Sequence, residues 1–197
     1  MNTIVDFRSY TTARGAPTLV FVDMQKEYLA APRLMAIPEI AEALGNCRKL
    51  LEHARETGLP VAFVRWLDRS GPFFNQATPF AGWIDGFEPQ RNEMIFDRKR
   101  PSCYSSEGFA QFMDHGGKDV VLAGFAGESA CLSTMVDAFH RGHHLTYVAD
   151  ASASHRLVEM TADEVHTAIT RIANLYGDVV KAETWIGARI RSAVKAG

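Results

Sequence analysis

Asp119-Val120-Val121-Leu122-Ala123-Gly124-Phe125-Ala126-Gly127-Glu128-Ser129-Ala130-Cys131 reads as an apolar strand, a glycine-rich turn and the opening of a helix, in that order. A strand that is continuously apolar, rather than alternating, is buried on both faces, as parallel strands beneath two layers of helices are. The same pattern recurs in both directions along the chain. Thr18–Val22, Val61–Trp66, Glu93–Phe96 and His144–Ala149 read as strands, and Val179 and Val180 open a sixth. Between them lie helical patterns over Ile37–Glu56, Glu107–His115, Glu128–His140 and Thr161–Tyr176. Gly58, Gly116, Gly142 and Gly177 follow these helices, where a left-handed cap is wanted. Strands alternating with helices give an α/β fold, a three-layer doubly wound sheet of about six strands, mostly or wholly parallel.

The 197 residues suit a single domain, 1–197. One stretch departs from the alternation. Residues 67–92 mix turn formers with large aromatics, as in Ser70-Gly71-Pro72-Phe73-Phe74 and Pro79-Phe80-Ala81-Gly82-Trp83. A loop of this length is expected to be a lid or an interface.

Hydrophobic residues make up 47% and charged residues 22%, an ordinary globular balance. The net charge of -2 provides no attraction to nucleic acid or to an anionic membrane, so a small-molecule partner is expected. The start, Met1-Asn2-Thr3-Ile4-Val5-Asp6, lacks a basic region followed by an apolar one, and the chain is read as cytoplasmic. Three cysteines, Cys47, Cys103 and Cys131, without CxxC spacing point to thiol chemistry rather than disulfides or a thiolate zinc site.

In open parallel sheets ligands bind beyond the carboxyl ends of the strands. Asp23 follows the first strand, Arg98 and Lys99 follow the third, and Cys131 stands near the start of the helix after the fourth. A helix N-terminus favours thiolate over thiol, so Cys131 is expected to have a lowered pKa. A carboxylate to take the thiol proton, a cation to steady the pair and backbone N–H groups to hold an oxyanion make a nucleophilic site. The same residues also have structural uses: a cysteine inside an apolar helix packs as a small hydrophobe, an Asp ends a turn, and a basic run forms a solvated face. Cys47 falls on the apolar stripe of the first helix and belongs to the core. His140, His143 and His144 straddle Gly142, so their side chains are expected to diverge rather than hold a metal.

Three segments carry a resemblance: Val20-Phe21-Val22-Asp23-Met24-Gln25, Ile95-Phe96-Asp97-Arg98-Lys99-Arg100-Pro101-Ser102-Cys103-Tyr104, and Val121 through Cys131. With Asp137-Ala138, Gly142 and Asp150-Ala151 behind them, they resemble the signature segments of the isochorismatase-like cysteine hydrolases over roughly Pro17 to Ile186. The resemblance implies a six-stranded parallel sheet and an Asp-Lys-Cys triad that hydrolyses amides or related bonds through a thioester. It implies a cis peptide at Ala126-Gly127 that turns the amides of Gly127 and Cys131 into an oxyanion hole. Register against the second segment puts the cation at Arg98, whereas the family's usual lysine chemistry points to Lys99. Val64-Arg65-Trp66-Leu67-Asp68-Arg69 has no Asp-x-His, which disfavours a nicotinamidase and a metal.

The expected protein is thus a metal-independent cysteine hydrolase, without cofactor, that cleaves a C–N bond of a small amide. Asp23 is its base, Cys131 its nucleophile, and Arg98 or Lys99 its cation. A vinyl-ether hydrolase of the isochorismate type, a catalytically silent metabolite-binding member and a thiol redox protein using Cys131 and Cys103 are the alternatives. Specificity is expected from residues 67–92, Tyr28, Tyr104 and Glu128, and Trp66 and Trp83 wall either the pocket or a subunit contact. The resemblance also implies a homodimer or homotetramer.

Overall fold

The computed structural model describes residues 17–116 and 119–196, so the N-terminal stretch read above lies outside the described residues. Six strands form one parallel sheet: β1 (Thr18–Val22), β2 (Val61–Trp66), β3 (Met94–Arg98), β4 (Asp119–Phe125), β5 (His144–Ala153) and β6 (Asp178–Val180). Their spatial order is β3-β2-β1-β4-β5-β6. The chain winds outward in one direction from β1 and in the other from β4. The switch point, where ligands bind in doubly wound sheets, therefore lies between those two strands.

Helices cover both faces. The α1 (Ala41–Thr57) and α5 (Ala182–Ala196) helices lie on one side, and α2 (Glu107–Gly116), α3 (Leu132–His140) and α4 (Ala162–Tyr176) on the other. The apolar residues of each strand divide between the layers as side-chain alternation requires. Leu19 and Phe21 join the α1 side, Val20 and Val22 the α2–α3 side, and all of Thr18–Val22 is buried.

β1 and β2 span the residues expected, while β3 begins one residue later than expected and runs on to Arg98. The helix expected over Glu128–His140 is divided: Gly127–Cys131 forms a wider, π-type turn and α3 follows it. Gly58 and Gly142 take left-handed φ angles of 66° and 69°. Gly177 does not. Its φ of -168° is extended, and what excludes a side chain there is the carbonyl of Leu145, 2.2 Å from where a Cβ would stand. Gly116 is the last residue of α2.

The α5 helix was not expected. Trp185 anchors it by packing edge-on against His53 of α1, and Asp150 of β5 accepts the Ala182 N–H at its first turn (2.8 Å). The 67–92 stretch is irregular apart from a single short turn, Pro79–Ala81. It is nevertheless part of the core, because Phe74, Ile84 and Phe87 are buried with the α1-side cluster. Among the described residues no helix is long and apolar enough to cross a membrane.

Candidate active site

β1 ends at Val22, and Asp23 turns the chain out of the sheet with a φ of 48°, a left-handed conformation uncommon for any residue but glycine. Its carboxylate is fully buried and surrounded by donors. Oδ1 accepts the Trp66 N–H (2.8 Å) and Arg98 Nε (3.2 Å). Oδ2 accepts Arg98 Nη2 in a very short contact and the Tyr28 hydroxyl at 3.4 Å. Burial pushes the Asp23 carboxyl up, and the Arg98 guanidinium, the Trp66 amide and the Tyr28 hydroxyl pull it partly back.

Of the two basic candidates, only Arg98 reaches Asp23. As the last residue of β3 it pairs in register with Trp66, its guanidinium lies 4.7 Å from the Trp66 ring, and its Nη1 donates to the Arg100 carbonyl (2.5 Å). Lys99, one residue on, is exposed. A planar fork that grips a carboxylate through two nitrogens suits this position better than the single ammonium of lysine would.

Cys131 closes the turn after β4. Gly124 lets that strand come close enough, since its φ is 114° and a Cβ there would stand 2.2 Å from the Val22 carbonyl. The sulfur is fully buried, 3.5 Å from the Gly124 carbonyl oxygen and 3.7 Å from Ser152 Oγ. The expected lowering of the Cys131 pKa is not what these surroundings favour. Burial pushes the thiol up, Cys103, Glu128 and Asp23 add to that, and the Ser152 hydroxyl acts the other way. These surroundings favour the neutral thiol in the resting site. Burial also pushes Cys103 up, to about 12, against the pull of Arg98.

The cis peptide lies between Phe125 and Ala126, not between Ala126 and Gly127 as expected. β4 continues to Phe125, which pairs with Ala153, so the chain leaves the sheet directly after that residue. The Cys131 N–H reaches back five residues to the Ala126 carbonyl (3.1 Å), so in this state that donor is already engaged.

The expected substrate-facing residues separate. Tyr28 and Trp66 stand at Asp23, with the Tyr28 ring packed against Phe74 and Phe125. Trp83, half-buried, stacks edge-on against Phe63 and lies under Arg65. Tyr104 is buried, its hydroxyl 2.7 Å from His143 Nδ1 and its ring under Arg141. Glu128 lines a cavity of about 1050 Å³ bounded by the segments around Met35 and Met160, and Ala126 and Ser129 also line it. The three histidines do diverge: His143 faces Tyr104 and Asp114, His144 faces Asp119 and Asp178, and His140 is exposed. Among the described residues no group of three or more ligating side chains is placed to hold a metal.

His155, Ser152 and Tyr147 are site neighbours that sequence reading missed. His155 Nδ1 lies 2.8 Å from Glu128 Oε1 and Nε2 lies 3.0 Å from the Met35 carbonyl. A carboxylate and a carbonyl both accept, so the arrangement favours the charged imidazole, with both ring nitrogens donating. The hydrogen bond to Glu128 raises the His155 pKa, as the Asp119 hydrogen bond raises that of His144. A histidine raised in the folded state contributes stability that is complete below the unfolded value of 6.5 and is lost as pH rises through the higher folded value. The thermal midpoint is therefore expected to fall as pH climbs from about 6 to about 8. His155→Gln and His144→Gln should each flatten that fall, and unchanged slopes in both variants would refute the assignment.

The fold and this site together define an α/β protein of the doubly wound class with a buried thiol and a buried Asp–Arg pair at its switch point. An isochorismatase domain profile matches residues 17–184, and the chain belongs to the isochorismatase family of hydrolases. An uncharacterized isochorismatase family protein, YddQ of Bacillus subtilis, is 26% identical over 176 residues, covering 85% of this chain and 97% of the relative. The structure of an isochorismatase from Pseudomonas putida is similar with a TM-score of 0.80 and 25% identity, covering 93% of each chain. That of N-carbamoylsarcosine amidase from Thermoplasma acidophilum is similar with a TM-score of 0.69 and 24% identity over 85% of this chain and 97% of that one.

Proposed function

We propose that this chain is a cysteine hydrolase that cleaves a C–N bond of a small amide through a thioester held on Cys131, without a metal or other cofactor. The observation that carries the reading is the convergence of the buried Asp23–Arg98 pair and the buried Cys131 thiol at the ends of β1, β3 and β4.

The charged residues have complementary duties. Asp23 takes the thiol proton, and its raised pKa suits a group that must first accept a proton and later return it to the leaving amine. Arg98 keeps a fixed positive charge beside the carboxylate whichever protonation state Asp23 holds. The freed sulfur attacks the carbonyl carbon and the C–N bond breaks as Asp23 protonates the amine. Water then releases the acid from the thioester, with Asp23 again as base. The oxyanion falls to the backbone N–H groups of the turn that carries Cys131. The amide of Cys131 serves there once its bond to the Ala126 carbonyl is shared or released.

A screen for amine or ammonia release over a panel of small amides, with Cys131→Ala as control, tests the reading. Release that persists in Cys131→Ala, or no release from any amide alongside turnover of a vinyl ether, would replace it. Asp23→Asn is expected to lower turnover by about 10²-fold, the lower end for loss of a general base, because Arg98 and the backbone donors remain. Near-full activity in that variant would leave Asp23 as a turn former only.

A further inference from the structure

The surroundings of the Cys131 sulfur are asymmetric. The Gly124 carbonyl oxygen, at 3.5 Å, only accepts, so it favours the protonated thiol. Ser152 Oγ, at 3.7 Å, is able to donate and is nearly fully buried. The position of Ser152 is unusual. Leu122 of β4 pairs with Tyr147 of β5, but Gly124, two residues on, pairs with Ser152, five residues on. Residues five apart on a regular strand face opposite sides of a sheet. The register shift turns Ser152 back to the side where Tyr147 and Cys131 lie, as bulges beside active sites commonly re-aim a side chain.

Tyr147 stands behind Ser152. Its hydroxyl is buried with no partner at ordinary hydrogen-bond geometry among the described residues, and Ser152, close enough to act on it, and Cys131 are its near polar neighbours. It lies 3.3 Å from where a Cβ of Gly127 would be, directly beneath the turn that carries the nucleophile. A buried hydroxyl left without a partner is costly, and one placed at the foot of a nucleophile turn calls for a reason.

Resting on the reading of Cys131 as nucleophile, the geometry points to Ser152 as a positioning residue for that sulfur, its hydroxyl donating to the thiolate while that of Tyr147 donates to Ser152. In the resting state the S–H bond points to the Gly124 carbonyl. When the proton leaves for Asp23, the electron pair stays on sulfur, and a carbonyl oxygen is then the wrong neighbour. Ser152 turns its O–H to the sulfur, which opens its own lone pairs to the Tyr147 O–H. No covalent bond of either hydroxyl is made or broken. Asp23 after β1, Cys103 after β3 and Glu128 on its own turn oppose the thiolate, and Tyr28, Cys47 and Tyr147 are further titratable groups close enough to feel its charge. The serine hydroxyl is the side-chain donor that counters them.

The test follows the thiolate itself by its ultraviolet absorbance as pH is raised, taking the difference from Cys131→Ala so that the other cysteines and the tyrosines cancel. Ser152→Ala is expected to raise the Cys131 midpoint by about one pH unit, a tenfold loss of thiolate at a fixed pH below it. Ser152→Thr, which keeps a hydroxyl, should restore the midpoint, and Tyr147→Phe should raise it by less. A merely structural serine would change the melting temperature without moving the midpoint. The proposal is overturned if Ser152→Ala and the unaltered chain titrate alike, including the case in which neither titrates before the protein unfolds. Should Ser152→Ala fail to fold, Tyr147→Phe decides alone. Because no substrate enters the measurement, a failure here is distinct from a failure of the amide-hydrolase reading, which the Cys131→Ala activity control reports.

Discussion

Cys131→Ser is expected to lose turnover by on the order of 10⁴-fold while remaining within roughly 1 kcal/mol of the unaltered chain in stability. Both halves of that expectation come from the same pocket. A serine hydroxyl is far harder to ionise than a thiol, and one donor, the Ser152 hydroxyl, would not offset this while Asp23, Cys103 and Glu128 all work against a negative charge there. The hydroxyl would still find the Gly124 carbonyl as acceptor and the Ser152 hydroxyl as donor, so it would not be buried unsatisfied. Activity at a tenth of the original or better in Cys131→Ser would mean that the sulfur is not the attacking atom.

The second large effect is expected at Arg98. Removing one partner of a buried ion pair leaves the other uncompensated and typically costs about 3–5 kcal/mol. Arg98→Met therefore should lower the melting temperature by roughly 10 °C in a chain of this size. It should also lower turnover by about 10²-fold, because an unpaired buried carboxylate relieves its burial by taking a proton and ceases to be a base. Lys99→Met is the matched control. Its side chain is exposed, so stability is expected to stay within about 0.5 kcal/mol and turnover to stay near that of the unaltered chain. The opposite outcome, a silent Arg98→Met and an impaired Lys99→Met, would transfer the cation's role to Lys99 and remove the Asp23–Arg98 pair from the mechanism. Melting curves and steady-state rates on the two variants decide between them.

The sequence by itself determined the layered α/β fold, because a parallel strand covered on both faces must be apolar along its whole length, and that signal is local. β1 and β2 could be read to the residue for this reason, and so could the placement of Asp23, Arg98 and Cys131 near the carboxyl ends of their strands. The α5 helix was less legible, since what holds it is Trp185 against His53 and a cap from Asp150, contacts distant in sequence. The register also selected Arg98, but choosing it over Lys99 took the guanidinium's reach to a carboxylate 75 residues away. The position of the cis peptide, the π-type turn and the register shift that turns Ser152 toward Cys131 were settled only by tertiary structure. Each depends on how two strands meet across the sheet, and no local pattern of residue types records that meeting. The same holds for the charge on Cys131. Its place beside a helix start favours a thiolate, but burial, which only the packed structure creates, pushes the other way and favours the thiol.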